Sequence, residues 1–490
     1  VRMPGVAEVG IQHFMNGPES FTADTRPLVG ETPQAKSLFV ACGMNSVGVM
    51  SSAGIGRALA DWVMDGHPPM DMWEVDVARV DPLTAAPAHL ANRMDEAVAD
   101  QFAMHWPYKQ PRAGRGLRKS ALHDRWAAEG AVFGLTAGWE RGLWYAETSA
   151  ERDLSPSVSE QPWWPLAKRE TAQMKTGAVL LDLSPFSKFR VSGLDALNRL
   201  TTAQMDQHLG RAIYTQILNH RGGIEMDVTV TRLSEAQFEI TSGAASRQRD
   251  LAFLKRHLGQ VEDVTEMYCT IGLMGAASRK ILTTLVADAP DIAFGFSADM
   301  VIANHRVRAT RMSFVGEPGY ELTVPSAEAG AVFDACRAAG ASPMGHYALD
   351  GCRIEKGFKH WGHDIGPKVT PLEAGLDFTI DWQKTFCGKE ALLQQKRDGV
   401  SQRLILLEIK GEALMLHDEP IFEANRHVGL TTSGARGPRT GKNLAFGLIG
   451  TAIGETLKET HARQFTVRVA GRDYLAKALP RAPFDPTNER

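Results

Sequence analysis

NHRGGIEMDVTVTRL, residues 219–233, is the stretch that decides the fold. Its Gly-Gly pair predicts a tight turn, because glycine adopts the backbone conformations that turns need. After the turn, Val228 and Val230 alternate with Asp227 and Thr229, and this period of two is typical of a half-buried strand. The stretch therefore predicts a turn that leads directly into a strand.

Asp227 is an unusual residue for a strand that is rich in β-branched side chains. A buried carboxylate loses its hydration unless hydrogen-bond donors replace the water. Two interpretations follow. Asp227 binds a ligand, which Gly222 and Gly223 would allow to approach the backbone closely, or Asp227 caps the turn that begins at Arg221. This stretch alone supports both equally.

Two further stretches favour the interpretation of Asp227 as a ligand-binding residue. RMSFVGEPGYELTVP, residues 311–325, predicts a strand, a glycine-containing turn and a second strand, with Glu317 and Glu321 flanking the turn. RIEKGFKHWGHDIGPKVTPLEAGLDFTI, residues 353–380, follows it. In this order, the three stretches resemble the glycine-cleavage T-protein, and most closely the version fused to a flavin domain in sarcosine and dimethylglycine dehydrogenases. The segments LNHRGG, SFVGE, EKGFKHW and PFDPTNER resemble the sarcosine branch.

The resemblance implies an α+β multidomain protein in four parts. They are the C-terminal part of an FAD-dependent oxidoreductase domain (α/β, residues 1–82), a connecting segment (83–165), an aminomethyltransferase-like folate-binding domain (166–390) and a small antiparallel β-barrel (391–490). The residues themselves agree, because strand-like and helical patterns alternate up to about residue 388. After residue 395, short strands separated by Gly and Asn turns predict a barrel.

The resemblance also implies roles for particular residues. Asp227 would accept a proton beside the reacting nitrogens of tetrahydrofolate, or stabilise positive charge there. Glu321 would accept hydrogen bonds from the N–H groups of the pterin, and such charge-assisted pairs are geometrically selective. Phe314 and Phe378 occupy positions where dimethylglycine-type members carry Tyr, so ring stacking is retained and a phenolic hydrogen bond is lost. The full set of implied folate contacts is Asp227, Val228, Thr229, Phe314, Glu321, Leu322, Thr323 and Phe378.

A glycine-rich loop near the N-terminus points to a flavin. SLFVAC, residues 37–42, predicts a buried strand, which GMNSVGVM and then a helical segment follow. The segments PESFTADTRPLVGE and ACGMNSVGVM resemble the last flavin-contacting part of glycine-oxidase-like FAD oxidoreductases. The implied flavin loop consists of Gly43, Met44, Asn45, Ser46, Val47 and Gly48. The resemblance places the dinucleotide fingerprint upstream of Val1, so this chain alone is expected to bind FAD poorly.

The amino-acid composition limits the partners and compartments that this chain is expected to have. With 490 residues, 43% hydrophobic and 23% charged, the chain is expected to form several globular domains. A formal charge of −3 argues against a nucleic-acid partner, and no apolar run is long enough to span a membrane. Five cysteines without CxxC spacing indicate a reducing compartment, which would be the bacterial cytoplasm or, in a eukaryote, the mitochondrial matrix. No metal site is expected, and HWGHDI favours a structural or substrate-contact role.

The sequence therefore predicts FAD- and tetrahydrofolate-dependent oxidative demethylation of an N-methyl amino acid of the sarcosine or dimethylglycine type. This chain would carry the folate-dependent one-carbon transfer, with a small N-methyl amine as substrate and the electron acceptor left open. One alternative is a non-catalytic subunit like the regulatory subunit of pyruvate dehydrogenase phosphatase, which shares the architecture. Another is a free-standing aminomethyltransferase, which the flavin-type segment before Pro82 disfavours.

Overall fold

A computed structural model describes residues 3–487, so Val1, Arg2 and the last three residues of the PFDPTNER segment lie outside the described chain. The α-helices, numbered in chain order, are α1 Gly48–Asp65, α2 Pro87–Phe102, α3 His123–Ala128, α4 Trp164–Ala172, α5 Leu194–Leu200, α6 Arg247–Leu258, α7 Ser278–Leu285, α8 Ala329–Ala338, α9 His346–Glu355, α10 Pro371–Ala374, α11 Lys389–Asp398 and α12 Leu457–Ala462.

The strands, also in chain order, are β1 Leu28–Glu31, β2 Phe39–Cys42, β3 Ala131–Thr136, β4 Trp139–Tyr145, β5 Val179–Asp182, β6 Ser187–Ser192, β7 Ala212–Leu218, β8 Ile224–Arg232, β9 Gln237–Ser242, β10 Val261–Asp263, β11 Tyr268–Met274, β12 Ser297–Ile302, β13 His305–Thr310, β14 Gly319–Pro325, β15 Ser342–Pro343, β16 Gln402–Ile409, β17 Pro420–Glu423, β18 Arg426–Arg436, β19 Asn443–Gly450, β20 Gln464–Val469 and β21 Arg472–Leu479.

The N-terminal part is a two-stranded antiparallel sheet, β1–β2, against which α1 packs through Trp62. Gly30 has φ +118, and a Cβ there would lie 2.5 Å from the Trp62 ring, so only glycine permits this contact. The strand predicted at residues 37–42 forms as β2, but its predicted burial is wrong, because Ala41 and Cys42 are exposed. Within residues 3–487, β2 pairs with β1 only, and Trp62 of α1 contacts Phe39 at its start, so the C-terminal end of the strand stays open.

The decisive stretch lies in a five-stranded antiparallel sheet of order β10-β6-β9-β8-β7. The turn and strand predicted there are confirmed, since Gly222 has φ +82 and β8 begins at Ile224. Val228 and Val230 project from one face of β8 and pack with Leu197 of α5 in an apolar core. The alternation along β8 therefore follows from one buried and one polar face.

The turn itself is capped by Asn219. Its Oδ1 accepts hydrogen bonds from the N–H groups of Arg221 and Gly223, both at 3.0 Å. A Cβ on Gly223 would lie 1.9 Å from the carbonyl oxygen of Pro367, so the close approach at the glycines is made by the protein's own backbone. The interpretation of Asp227 as a turn cap is therefore wrong, and so is a ligand lying against these glycines.

A second sheet has six strands in the order β12-β13-β14-β11-β5-β15. Of the strand, turn and strand predicted for residues 311–325, only the second strand forms, as β14. The preceding ladder ends at Thr310, and residues 311–318 form a loop. The predicted first strand is absent because the segment folds on itself, with Ser313 Oγ accepting a hydrogen bond from the N–H of Gly316 at 3.1 Å.

The C-terminal part is a closed barrel of order β16-β19-β18-β17-β20-β21, in which every pair is antiparallel. Ile405 and Leu407 of β16 fill the barrel, whereas Leu404 and Leu406 pack against the preceding domain. Burial of both faces explains why this strand reads as a continuous apolar run. The predicted fold class, mixed α and β with a C-terminal antiparallel barrel, is confirmed.

A buried carboxylate joins the barrel to the preceding domain. Asp364 is 1% exposed and accepts hydrogen bonds from Arg353 Nη1 at 2.6 Å and from the N–H of His360 at 2.9 Å. The hydroxyls of Thr432 and Ser433, on barrel strand β18, donate to its other oxygen at 2.6 and 2.7 Å. The Asp of HWGHDI is thus fully occupied by protein donors, so of the structural and substrate-contact roles expected for this segment, Asp364 has the structural one.

Replacement of Asp364 by alanine is expected to destabilise the protein strongly. It would leave the buried Arg353 without this counter-ion and two barrel hydroxyls without an acceptor, at a cost of about 3–5 kcal/mol. Thermal unfolding followed by circular dichroism measures the effect. Asp473→Ala, which breaks an exposed ion pair with Arg468, is the control and should leave the melting temperature unchanged. Equal melting temperatures for Asp364→Ala and the wild type would contradict the assigned role.

Candidate functional site

The candidate site lies between two polar sheet faces. Asp227 of β8 stands opposite Gln216 of β7, and Thr229 stands opposite Thr241 of β9. Thr241 in turn stands opposite Lys188 of β6. Because residues directly opposite each other project from the same face of an antiparallel sheet, these five side chains share one face of the five-stranded sheet.

The six-stranded sheet presents the second polar face. Glu321 and Thr323 of β14 project from one face, whereas Leu322 between them projects from the other and is fully buried in the core. Thr323 stands opposite Thr270 of β11 and Arg308 of β13. The carboxylate expected to bind the pterin therefore belongs to a face that also carries hydroxyls and an arginine.

Contacts between the sheets place the two polar faces against each other. Arg308 Nη2 donates to Glu239 Oε2 at 3.3 Å, and Glu239 lies on β9 of the five-stranded sheet. Burial raises the pKa of Glu321 in one sheet and the positive charge of Lys188 in the other opposes that rise, so the two groups are close. Asp227 and Glu321 thus project from the two polar faces that these contacts bring together.

Asp227 is half-buried and has two side-chain donors. Gln216 Nε2 donates to its Oδ1 at 2.9 Å, and the Tyr214 hydroxyl also hydrogen-bonds to the carboxylate. Burial raises the pKa of Asp227 to about 6, and these donors together with the charge of Lys359 oppose that rise. A carboxylate with a pKa near neutrality is suited to accept a proton from a reacting group.

The orientation of the Gln216 amide is set from a third element. The Thr379 hydroxyl, on the 3-10 helix Asp377–Thr379, donates to Gln216 Oε1. With its oxygen occupied by this donor, the amide must turn its NH2 group towards Asp227. Thr379 therefore acts on Asp227 indirectly, as a positioning residue.

Glu321 differs from Asp227 because no side chain or backbone group within residues 3–487 donates a hydrogen bond to it. Burial raises the pKa of Glu321 to about 7, and the nearby charge of Lys188 opposes the rise. The Lys188 ammonium itself donates to the carbonyl oxygens of Ser184 and Phe186, at 3.0 and 2.9 Å. A half-buried carboxylate to which no protein group donates can accept hydrogen bonds from the N–H groups of a ligand.

The aromatic residues implied by resemblance have different environments. Phe314 is half-buried and its ring lies 5.8 Å from that of Phe358, with an interplanar angle of 17°. Phe358 precedes Lys359, whose charge acts on Asp227, so this aromatic pair adjoins the candidate site. Phe378 is 74% exposed, on the same 3-10 helix as Thr379. Its exposed ring could contact a ligand only at the rim of the site.

Two of the expected folate contacts can reach a ligand only through their backbone. The side chains of Val228 and Leu322 are 2% and 0% exposed and belong to two different apolar cores. Thr229 and Thr323 project from the polar faces and are half-buried. The four residues therefore alternate between core packing and the candidate site.

Two half-buried histidines, His346 on α9 and His360 next to Lys359, have neutral rings. Burial lowers the pKa of His360 to about 4 and the pKa of His346 well below its usual value. The buried Nδ1 atoms of both residues lack hydrogen-bond partners in the described part of the chain. Both rings are uncharged at neutral pH and can exchange hydrogen bonds with a ligand without adding charge.

The predicted flavin loop, Gly43 to Gly48, connects β2 to the N-terminus of the 18-residue α1. Asn45, which is 1% exposed, anchors the loop, because its Oδ1 accepts from the N–H of Thr22 at 2.9 Å and its carbonyl oxygen accepts from Gln101 Nε2 at 2.7 Å. The remaining loop residues, Gly43, Met44, Ser46, Val47 and Gly48, are half-buried or exposed. Free N–H groups at a helix start suit the polar edge of a cofactor. Their contact with flavin stays a prediction.

Three further features, a metal site, a disulfide and a membrane-spanning helix, are absent from residues 3–487. These residues contain no group of three or more His, Cys, Asp or Glu side chains placed to hold a metal ion. The five cysteines are all free. None of the described helices combines the length and apolar character that crossing a membrane requires.

Sequence reasoning missed several polar residues of the site. Tyr214 and Gln216 follow from pairing β7 with β8 across the Gly-Gly turn, and that register could have been worked out. Lys188 carried a signal too, since a lysine inside the strand-like run FSKFRVSG needs an explanation. Thr379 and Lys359 had no such signal, because tertiary packing alone brings them near Asp227.

Four protein-family models match this chain in succession. The matching family descriptions, in chain order, are "FAD dependent oxidoreductase" (residues 2–62), "FAD dependent oxidoreductase central domain" (65–120), "GCVT N-terminal domain" (122–384) and "Glycine cleavage T-protein C-terminal barrel domain" (402–485). The GCVT match alone spans more than half of the chain. The chain belongs to the glycine cleavage T-protein family. The predicted combination of flavin-type and T-protein parts is confirmed, and these parts fit FAD and tetrahydrofolate as cofactors.

Curated relatives share the same combination. The 4-methylaminobutanoate oxidase (formaldehyde-forming) of Paenarthrobacter nicotinovorans is 38% identical over all of this chain and 61% of its own length. The mitochondrial sarcosine dehydrogenase of Homo sapiens is 34% identical over all of this chain and 60% of its own length. The chain thus spans about three fifths of these relatives. Aminomethyltransferase T of Bartonella henselae, at 23% identity and a TM-score of 0.64 over 75% of this chain and 98% of its own, has the same fold.

The raised pKa of Glu321 predicts a pH dependence of stability. Its usual pKa is 4.5 and its folded pKa about 7, so between these values the folded protein holds a proton that the unfolded chain releases. This contribution to stability is complete below about pH 4.5 and is lost as the pH rises through about 7. The melting temperature of Glu321→Gln relative to wild type should therefore rise from pH 5 to pH 7.5.

Glu412→Gln is the control for that series, because the Glu412 side chain is 86% exposed. Its melting temperature relative to wild type should not change with pH. Parallel melting curves for Glu321→Gln and wild type across the range would show that Glu321 titrates as it does in water.

Proposed function

We propose that this chain carries the folate-dependent one-carbon transfer of an FAD-dependent oxidative demethylation of an N-methyl amino acid. The observation that carries the proposal is the pair of half-buried carboxylates on opposing sheet faces of a T-protein fold. Asp227 is held by Gln216 and Tyr214, and Glu321 has no donor within the described chain. The substrate class follows from relatives named for sarcosine and 4-methylaminobutanoate.

The residues present fit a reduced folate. Glu321 would accept the N–H donors of the pterin, which satisfies both the carboxylate and the ligand. The Phe314 ring, backed by Phe358, offers an apolar face for stacking on a flat heterocycle. Thr229 and Thr323 add hydroxyls from the two walls. Contact by Val228 and Leu322 would be made through backbone atoms.

Tetrahydrofolate, when bound, supplies a nucleophilic nitrogen that takes up a one-carbon unit. Asp227 would receive the proton that this nitrogen loses, or stabilise positive charge beside it. Gln216, held by Thr379, keeps one carboxylate oxygen of Asp227 engaged. The positive charge of the half-buried Lys359 favours the ionised form of Asp227.

The alternative functions gain no specific support. A purely regulatory subunit has no need for two carboxylates with raised pKa on facing walls, which is the arrangement seen for Asp227 and Glu321. A free-standing aminomethyltransferase does not account for the flavin-type matches over residues 2–120. We therefore assign the demethylation pathway to the whole protein and the transfer step to this chain.

We divide the chain at residues 82, 165 and 390 into flavin-type, connecting, folate-binding and barrel parts. The loop from Gly43 to Gly48 would contact the flavin. The substrate would be a small N-methyl amine in the bacterial cytoplasm or the mitochondrial matrix, and neither nucleic acid nor a membrane is assigned as partner.

The role of Glu321 is tested by folate affinity. Glu321→Gln removes a charged acceptor and is expected to weaken binding of 5-formyltetrahydrofolate by about 10- to 100-fold, the equivalent of roughly 1.5–3 kcal/mol. Glu317→Gln is the matched control on the same turn. Glu317 is 5% exposed and its carboxylate lies 3.5 Å from Arg439, so this variant should lower stability and leave folate affinity unchanged. Equal losses of affinity in calorimetry would remove the assignment.

The role of Asp227 is tested by separating its chemistry from its packing. Asp227→Asn keeps the size and hydrogen-bonding capacity of the side chain but is a far poorer proton acceptor. In the chain joined to a complete flavin domain, formation of methylenetetrahydrofolate should fall by roughly 10²–10⁴-fold. Folate affinity, melting temperature and amine oxidation with an artificial electron acceptor should change little. An unchanged yield of methylenetetrahydrofolate would make Asp227 a structural residue.

A further inference from the structure

A separate cavity of ≈ 580 Å³ opens between the ends of the two sheets. Its walls include Arg232 and Leu233 at the C-terminal end of β8, and Thr323 and Pro325 on β14. Arg232 is five residues beyond Asp227, which corresponds to about 17 Å along a strand. The cavity therefore extends away from Asp227, and it adjoins the candidate folate site at Thr323.

Basic side chains outnumber acidic ones around the cavity. Four arginines line it, from three strands of the two sheets, namely Arg190, Arg232, Arg306 and Arg308. Arg306 pairs with Asp299 and Arg232 with Asp206, whereas Arg190 and Arg308 share the single carboxylate of Glu239. The positive charge that remains favours the entry of an anion. The volume of the cavity falls within the usual range of small-molecule sites.

Strand register fixes which arginine side chains share the cavity. Arg306 and Arg308 are two residues apart on β13 and project from the same face, and Arg308 stands opposite both Asp299 and Thr323. Arg190 projects from the polar face of the five-stranded sheet, opposite Glu239. Guanidinium groups from both sheets therefore converge on one space.

Arg190 has a hydrogen-bond donor without an acceptor. Its Nε is buried, lies 3.6 Å from Glu239 Oε2, and forms no hydrogen bond within residues 3–487. The guanidinium lies 4.8 Å from the ring of Tyr268, which holds its plane in position. A buried, unsatisfied donor is costly in a folded protein and calls for a partner.

Glu239 on β9 lies behind two of the cavity arginines, two residues before Thr241 of the candidate folate site. It is 5% exposed and pairs with both Arg190, at 3.6 Å, and Arg308, at 3.3 Å. This pairing uses only part of each guanidinium, since an arginine carries five N–H donors. The donors that remain can serve a ligand on the outer side of Glu239.

We propose that this cavity is a second ligand site, which binds a small molecule carrying two oxyanion groups, either carboxylates or phosphates. The planar fork of arginine matches such groups in a two-point geometry that lysine does not offer. Arg190 binds one oxyanion from the five-stranded sheet, and Arg306 and Arg308 bind the other from the six-stranded sheet. The Tyr268 ring lies between them.

The tail of the bound folate does not explain this site. In the orientation given under the proposed function, Glu321 holds the pterin edge, and the carboxylates of folate lie at the opposite end of that molecule. Thr323, which lines the cavity, is only two residues from Glu321 on the same strand face. The cavity therefore lies beyond the pterin end and takes a separate molecule.

Calorimetric titration of the whole chain with two probes tests the proposal, at low chloride and without folate. Pyrophosphate and succinate represent the phosphate and carboxylate classes, and one of them should bind at a ratio of one per chain. Arg190→Gln should weaken that binding by about 10- to 100-fold, as expected for a lost charged hydrogen bond. Arg306→Gln, whose side chain is 80% exposed and which should fold normally, should weaken it by roughly 3- to 10-fold.

Arg426→Gln is the matched control, because Arg426 is 76% exposed and pairs with a single glutamate on the barrel. It should not affect binding of either probe. Phenylglyoxal labelling read by mass spectrometry localises the site without any variant, since the bound anion should protect Arg190 and Arg308 but not Arg426. This second measurement decides the matter if Arg190→Gln does not fold.

Three results would overturn the proposal. The first is that neither probe binds at millimolar concentration. The second is that a probe binds equally to wild type, Arg190→Gln and Arg306→Gln. The third is that saturation with 5-formyltetrahydrofolate displaces the bound probe. The last result would place the anion in the folate site. Because the titration contains no folate, the second site can fail while Asp227 and Glu321 keep their roles, and the reverse is also true.

Discussion

The register between β7 and β8 is the constraint on which the candidate site depends. Asn219 and the two glycines fix that register, because the turn closes on the Pro367 carbonyl with no room for a Cβ at Gly223. A slip of one residue would move every polar side chain of β8 into the apolar core. The turn therefore decides that Asp227 meets Gln216 and that Val228 and Val230 are buried.

The two sheets are built alike, each with one apolar face and one polar face. Each buries an apolar face of its own, under α5 and α6 on one side and under α7 and α8 on the other. The polar faces are left to meet, and charged contacts such as that of Arg308 with Glu239 hold them together. Burial between these faces raises the pKa of both Asp227 and Glu321, since water is replaced only in part by protein donors.

Local pattern and resemblance predicted much of this molecule, but not the contacts made at a distance. The turn, β8 and the barrel follow from glycine placement and strand alternation, and Asp227 and Glu321 were identified from motifs. The pair Lys188 and Glu321 joins positions more than a hundred residues apart, and no local signal announces it. The strand predicted to begin at Arg311 does not form, because a side-chain contact of Ser313 with the N–H of Gly316 folds that segment into a loop. The burial of β2 was overestimated because its apolar run suggested a covering layer.

The central claim is that a reduced folate binds between the two sheets, with its pterin on the Glu321 carboxylate. Calorimetry of 5-formyltetrahydrofolate binding at pH 6.5, in two buffers of different ionisation enthalpy, counts the protons exchanged on binding. Free Glu321 has a pKa of about 7 and is mostly protonated at that pH. The pterin donors favour its ionised form, so wild type should release roughly half to three quarters of a proton, and Glu321→Gln should release clearly less. Equal proton release by both proteins would contradict the claim.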